Sequence, residues 1–224
     1  MIQRRAFSVS AASAAVLSAV PLAVPGLAQA QGGQPQAGRE YVKLDRPAPV
    51  DAPSGQIEVI EFFWYSCPHC NAFEPTFQGW LKAVPKDVVV RRVPIAFRPD
   101  FVPQQKLFYA LEALGKVDAL HSKVFHAVHV ERQRINTDDT IQEWIEKQGG
   151  AVIDPAKFKE AYNSFGVANK VKRASQLQDA YRVEGVPALG VAGRYYTDGS
   201  LAGGINRALQ VVDFLIGQVR GGKA

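Results

Sequence analysis

The stretch Ile57-Glu58-Val59-Ile60-Glu61-Phe62-Phe63-Trp64-Tyr65-Ser66-Cys67-Pro68-His69-Cys70 decides the fold. Its first eight residues are mostly β-branched or aromatic and scarcely alternate, the pattern of a central strand covered on both faces. Beyond Cys70 the spacing of Phe73 and Phe77 predicts a helix, and Val88 to Ile95 reads as a second buried strand. The order is strand, cysteine-bearing turn, helix, strand. This is a βαβ unit with two cysteines at the C-terminal end of its first strand, the setting of a thioredoxin-like redox site.

Downstream the periodicity becomes helical. Leu107, Leu111 and Leu114 recur at helical spacing, and Gly115 suits a C-terminal cap. Leu120, Val124 and Val128 mark a second helix. Thr137 and Asp138 start a third, which carries Ile141, Trp144 and Ile145. Asp154-Pro155 starts a fourth, with Phe158, Tyr162 and Phe165 along one side. Val171 to Tyr181 predicts a further helix, strands return at Ala188 to Val191 and Arg194 to Tyr196, and a last amphipathic helix passes through Leu209, Val212 and Ile216. The expectation is an α/β thioredoxin fold, residues 39–99 and 166–220, interrupted by a helical insertion at 100–165.

Upstream, Arg4-Arg5 precedes an uncharged, Ala-rich run from Ala11 to Ala28, and Ala28-Gln29-Ala30 has the small-x-small form of a cleavage site. Residues 1–30 therefore read as an export signal cleaved after Ala30. The twin arginines suit either a general secretory or a twin-arginine route. Pro21, Pro25 and Gly26 interrupt the run and argue against a spanning helix. Residues 31–38, rich in Gly and Gln, read as a disordered leader. The formal charge of +5 includes the two signal arginines, and the remaining basic residues are scattered. Such a surface excludes nucleic acid as a partner.

Cys67 and Cys70 are the only cysteines. In an exported protein, where disulfides persist, each has no partner but the other. A structural disulfide is a poor reading, because so short a loop restrains the unfolded chain little. A zinc site would need two more ligands, for which His121, His126 and His129 are the candidates, but they sit on a helix remote in sequence. Redox chemistry fits best. A helix starting near Cys67 aims free N–H groups and its positive end at that sulfur. Pro68 at the first helical position wastes no N–H. His69 adds a proton or a hydrogen bond. Each effect lowers the Cys67 pKa and improves it as a leaving group, while Cys70, one turn further in, is the shielded resolving thiol. Neither a metal nor a cofactor is called for.

Cys67-Pro68-His69-Cys70, with Glu61-Phe62-Phe63 before it and Phe73-Glu74 after it, resembles the periplasmic disulfide oxidase family DsbA. The likeness spans nearly all of the mature chain, including Asn163-Ser164-Phe165 and Gly185-Val186-Pro187. It implies a cis peptide bond before Pro187, with Val186 and Pro187 shaping the groove that receives substrate chains. It also implies that Glu61 is an acid beneath the buried cysteine, aiding proton movement. A carboxylate in an apolar strand is costly unless paired or protonated. Glu74 matches a family acid, although it also suits the helix dipole. The basic residue that the family supplies as lysine stands here as arginine, at Arg92, which stays charged and so puts proton transfer through that position in doubt. The implied function is donation of the Cys67–Cys70 disulfide to unfolded or newly exported cysteine-containing proteins in the periplasm. Re-oxidation would come from a quinone-linked membrane oxidase of the DsbB type, and a monomer is expected. Two other readings stay open: an isomerase or reductase on the same fold, and a non-catalytic binding module for unfolded chains.

Overall fold

The computed structural model describes residues 33–222. The predicted signal at 1–30 lies outside the described residues. A five-stranded sheet has the order β1-β5-β4-β2-β3, with β1 at Val42–Lys43, β2 at Ile57–Phe63, β3 at Val88–Pro94, β4 at Ala188–Val191 and β5 at Tyr195–Asp198. β2 and β3 run parallel, joined through α1 (Pro68–Leu81), and the remaining pairs are antiparallel. All seven residues of β2 are buried, as its unbroken apolar run requires of a strand covered on both sides.

Between β3 and β4 the chain forms a 3-10 turn at Pro99–Phe101 and five helices, α2 (Val102–Ala113), α3 (Val117–His129), α4 (Asp138–Lys147), α5 (Pro155–Tyr162) and α6 (Phe165–Tyr181). Local chemistry sets their ends. Thr137 caps α4 in a reciprocal pair with Thr140, and the Asp154 carboxylate accepts from the amides of Ala156 and Lys157 at the start of α5. Two helices follow β5, the short α7 (Gly199–Ala202) and the long α8 (Ile205–Arg220).

The sheet separates two apolar layers. On one side Ile60, Phe62 and Phe63 pack with Leu107, Phe108, Val124 and Leu177 of α2, α3 and α6. On the other, Val59, Leu189 and Val191 pack with Phe73 and Phe77 of α1 and Val212 and Leu215 of α8. The inserted helices thus share one continuous core with the sheet. Tyr181 lies over Gly190 of β4, where any Cβ would collide with its ring, and its hydroxyl accepts from Gly193 N–H at 3.0 Å.

Two expectations need correction. Residues 36–38 were expected within a disordered leader. Instead the Gln36 carbonyl accepts from the amides of Arg39 and Glu40, Gly38 adopts φ +78°, and the resulting turn feeds β1. Phe165 does not continue α5. The Ser164 hydroxyl accepts from Val167 N–H and starts α6, leaving Phe165 81% exposed.

Candidate active site

The chain leaves β2 at Phe63 and reaches Cys67, which is the N-cap of α1 with φ −82° and ψ 117°. Its sulfur accepts from the Cys70 N–H at 3.3 Å, the position a serine or aspartate oxygen holds in an ordinary cap. Pro68 occupies the first helical position and His69 the second, exposed to solvent. The Cys70 thiol donates to the Cys67 sulfur. That bond, with the amides of Cys70 and His69 and the His69 charge, outweighs burial and lowers the Cys67 pKa from 9.0 to about 6. Cys70 goes the other way. Burial, the bond to Cys67 and the charges of Cys67 and Glu61 push it far above the ordinary thiol range.

Across the sulfur, Cys67 Sγ lies 3.3 Å from the Val186 carbonyl oxygen, to which it donates only when protonated, and the Val186–Pro187 peptide bond is cis. Residues 119 positions apart in the chain meet there. A groove of about 500 Å³ opens beside this contact, lined by His69, Phe73, Val186, Pro187 and Ile205.

Beneath the dithiol, Glu61, Glu74 and Arg92 come together in a buried polar cluster. Arg92 holds Glu74 through two parallel hydrogen bonds, Nη1 to Oε2 at 2.7 Å and Nη2 to Oε1 at 3.0 Å. Burial works to raise the Glu74 pKa, but His121 and the Arg92 fork hold it down at about 2. Glu74 is therefore an ion-pair partner and not merely a complement to the helix dipole. Glu61 is 1% exposed, with Oε2 3.1 Å from Arg92 Nη1. Burial raises its pKa from 4.5 to about 8, against the pull of Arg92 and with help from Glu74.

Sequence reasoning gave His121 and Tyr65 no part in this cluster. His121 is 2% exposed, its Nδ1 is 2.9 Å from the Tyr65 hydroxyl, and its Nε2 contacts Arg92 Nη1. His129 Nε2 donates to the Tyr65 carbonyl at 2.8 Å, whereas His126 pairs with Glu131 at the surface. The three histidines thus do not converge on the cysteines. A signal was present: His121 shares the inward stripe of α3 with Val124 and Phe125, where a polar side chain needs a partner.

The DsbA-like thioredoxin domain family matches residues 92–210. The thiol:disulfide interchange protein DsbA of Bordetella parapertussis is 47% identical over 209 residues, 93% of this chain and 95% of that one. The chain belongs to the DsbA family. The DsbA of Burkholderia cepacia is 42% identical over 87% of this chain and 91% of that one. A crystal structure of Pseudomonas aeruginosa DsbA superposes with a TM-score of 0.78 at 39% identity, covering 84% of this chain and 96% of that one. As a member of the DsbA family, the chain is a thiol–disulfide oxidoreductase with a thioredoxin fold and an inserted helical region.

The two sulfurs differ enough to separate by labelling. Alkylation of the reduced protein near neutral pH is expected to modify Cys67 faster than Cys70 by about two orders of magnitude or more, because only Cys67 is a thiolate there. Mass spectrometry of the labelled peptides checks this, and equal labelling of the folded protein contradicts the assignment.

Proposed function

We propose that this protein donates the Cys67–Cys70 disulfide to cysteine-containing proteins newly exported to the periplasm. The observation that carries the reading is the asymmetry of the pair: one sulfur stabilised as a thiolate at a helix start, the other buried and held as a thiol. A substrate thiolate attacks the Cys67 sulfur, the Cys67–Cys70 bond breaks, and Cys70 leaves with the electron pair. Cys70 then takes a proton from Glu61, whose raised pKa keeps it loaded at neutral pH. A second substrate thiolate attacks the substrate sulfur of the mixed disulfide and expels Cys67 as a stable thiolate. The substrate loses two electrons and the protein gains them.

Pro68 presets the helix start, and His69 adds positive charge beside the leaving sulfur. Val186 and Pro187 form the wall against which an extended substrate lies, with the groove lined by Phe73 and Ile205 beside it. The signal at residues 1–30 supports export with cleavage after Ala30. Re-oxidation by a quinone-linked membrane oxidase of the DsbB type completes the cycle, and the protein works as a monomer.

The test is a stoichiometric transfer. Oxidised protein mixed with a reduced two-cysteine peptide should yield one peptide disulfide for each protein reduced, whereas a binding module would transfer none.

The depressed Cys67 pKa also sets a pH signature. The folded reduced protein holds a thiolate where the unfolded chain holds a thiol, so this stabilisation is fully present above pH 9.0 and is lost as pH falls through about 6. The oxidised protein has no such group. The stability difference should therefore shift toward the reduced form as pH rises through that window, by roughly 2 kcal/mol after discounting for solvent screening. Urea unfolding of both forms at about pH 5 and about pH 9 checks it. A difference that does not change with pH contradicts a stabilised thiolate.

A further inference from the structure

Arg92 Nη1 carries two hydrogens and faces three acceptors: Glu74 Oε2 at 2.7 Å, His121 Nε2, and Glu61 Oε2 at 3.1 Å. One acceptor has to go without. The geometry identifies it, since Glu61 Oε2 is buried and has no hydrogen-bond partner. Glu61 therefore feels the guanidinium charge but receives no N–H.

The state of the His121 ring follows from its neighbours. Phe63, Phe108 and Phe125 enclose it edge-on, with ring centroids 5.2, 5.8 and 5.2 Å away. Facing it are Arg92 from β3, Glu74 from α1 and Tyr65 from the end of β2, with Asp118 one turn earlier on α3. A cationic ring against a guanidinium would set two like charges in contact. The Glu74 oxygen, at 3.6 Å, is too far to accept a hydrogen from Nε2. The ring is thus neutral, Nε2 accepts from Arg92, and the Nδ1 hydrogen is donated to the Tyr65 hydroxyl. Burial and Arg92 lower the ring's pKa, in line with that state, and Glu74 only partly opposes them.

We propose that His121 is a positioning residue that keeps the buried acid protonated, by taking from Arg92 the hydrogen that Glu61 would otherwise accept. The inference deepens the reading in which Glu61 supplies the proton to Cys70. Without the His121 acceptor, Nη1 turns a hydrogen to Glu61, the carboxylate gains a charged hydrogen bond, and Glu61 ionises more readily.

The test is a titration of the Glu61 carboxyl in the reduced protein by carbon-13 NMR, with the resonance assigned through Glu61→Gln. In His121→Leu the midpoint should fall by about one to two pH units, the size of one hydrogen bond to a charged group. In His121→Gln, whose amide oxygen can still accept from Arg92, it should stay near the parent value. A merely structural role for His121 would not separate the two variants. His121→Met serves in the same way should the leucine variant not fold. An unchanged midpoint in the folded apolar variant, or equal shifts in the apolar and glutamine variants, overturns the proposal. A separate readout guards the underlying reading: if Glu61→Gln donates its disulfide as fast as the parent, Glu61 is not the proton source, whatever the titration shows.

Discussion

Replacing Cys67 by serine is expected to reduce disulfide donation to the uncatalysed background while leaving the fold intact. The loss is complete because the variant has no disulfide to donate and no sulfur for a substrate thiolate to attack. The fold survives for a local reason. Cys67 is the N-cap of α1 and its sulfur accepts from the Cys70 N–H, and a serine oxygen performs that task at least as well. At low pH, where the thiolate is lost, unfolding free energy should therefore match that of the reduced parent to within about 1 kcal/mol, and it should fall below the parent as pH rises and the parent gains its thiolate. Residual catalysis in folded Cys67→Ser would mean that the chemistry lies elsewhere. Cys70→Ser supplies the complementary result with an oxidised substrate: the Cys67 thiolate attacks the substrate disulfide, one substrate sulfur leaves as a thiolate, and with no Cys70 to expel the other the mixed disulfide should accumulate.

The second large effect concerns stability. Arg92→Leu should cost about 3–5 kcal/mol at neutral pH, since it strands an ionised Glu74 in the interior. Arg92 neutralises Glu74 through a bidentate pair, approaches Glu61, and lies over the Phe77 ring at 5.1 Å. The pH dependence identifies the cause. With His121 and Arg92 in place the Glu74 pKa is depressed from 4.5 to about 2, so their joint contribution is fully present above pH 4.5 and lost as pH falls through about 2. Arg92 supplies only part of that depression, and His121 the rest. The gap between parent and variant should accordingly narrow as the medium is acidified through this window. Arg92→Lys, which restores charge without the planar fork, should recover part of the loss. Urea unfolding checks each point. An Arg92→Leu protein as stable as the parent at neutral pH would show that Glu74 does not depend on the guanidinium.

What the sequence made legible, and what it did not, follows from the range of the interactions. β2 could be read because a strand buried on both faces must be apolar throughout, and the starts of α4 and α5 because Thr137 and Asp154 cap their own helices. β1 could not, since two residues carry no periodicity and Val42 and Lys43 are strands only through pairing with Tyr196 and Tyr195. The four-residue α7 and the 3-10 turn at Pro99–Phe101 are likewise too short to carry a periodicity. Phe165 was placed on α5 because its spacing matched, although Ser164 before it was the stronger local signal.

In the site, the reactivity of Cys67 was legible because the helix start that produces it is local. The approach of Val186 and Pro187 spans 119 positions and entered only through family resemblance. The pairing of Glu74 with Arg92 and the place of His121 depend on how α1, β3 and α3 pack against one another. No pattern along a single element encodes that, so a polar residue on an inward stripe was the one available sign.

Direction of electron flow is the central claim, and the equilibrium of the Cys67–Cys70 pair with a glutathione redox buffer near neutral pH measures it most directly. A stabilised Cys67 thiolate makes the reduced form favourable and the disulfide oxidising. The reduction potential should therefore lie above about −180 mV, more oxidising than that of protein disulfide isomerase. A potential near that of thioredoxin, about −270 mV, would contradict it and make the protein a reductase.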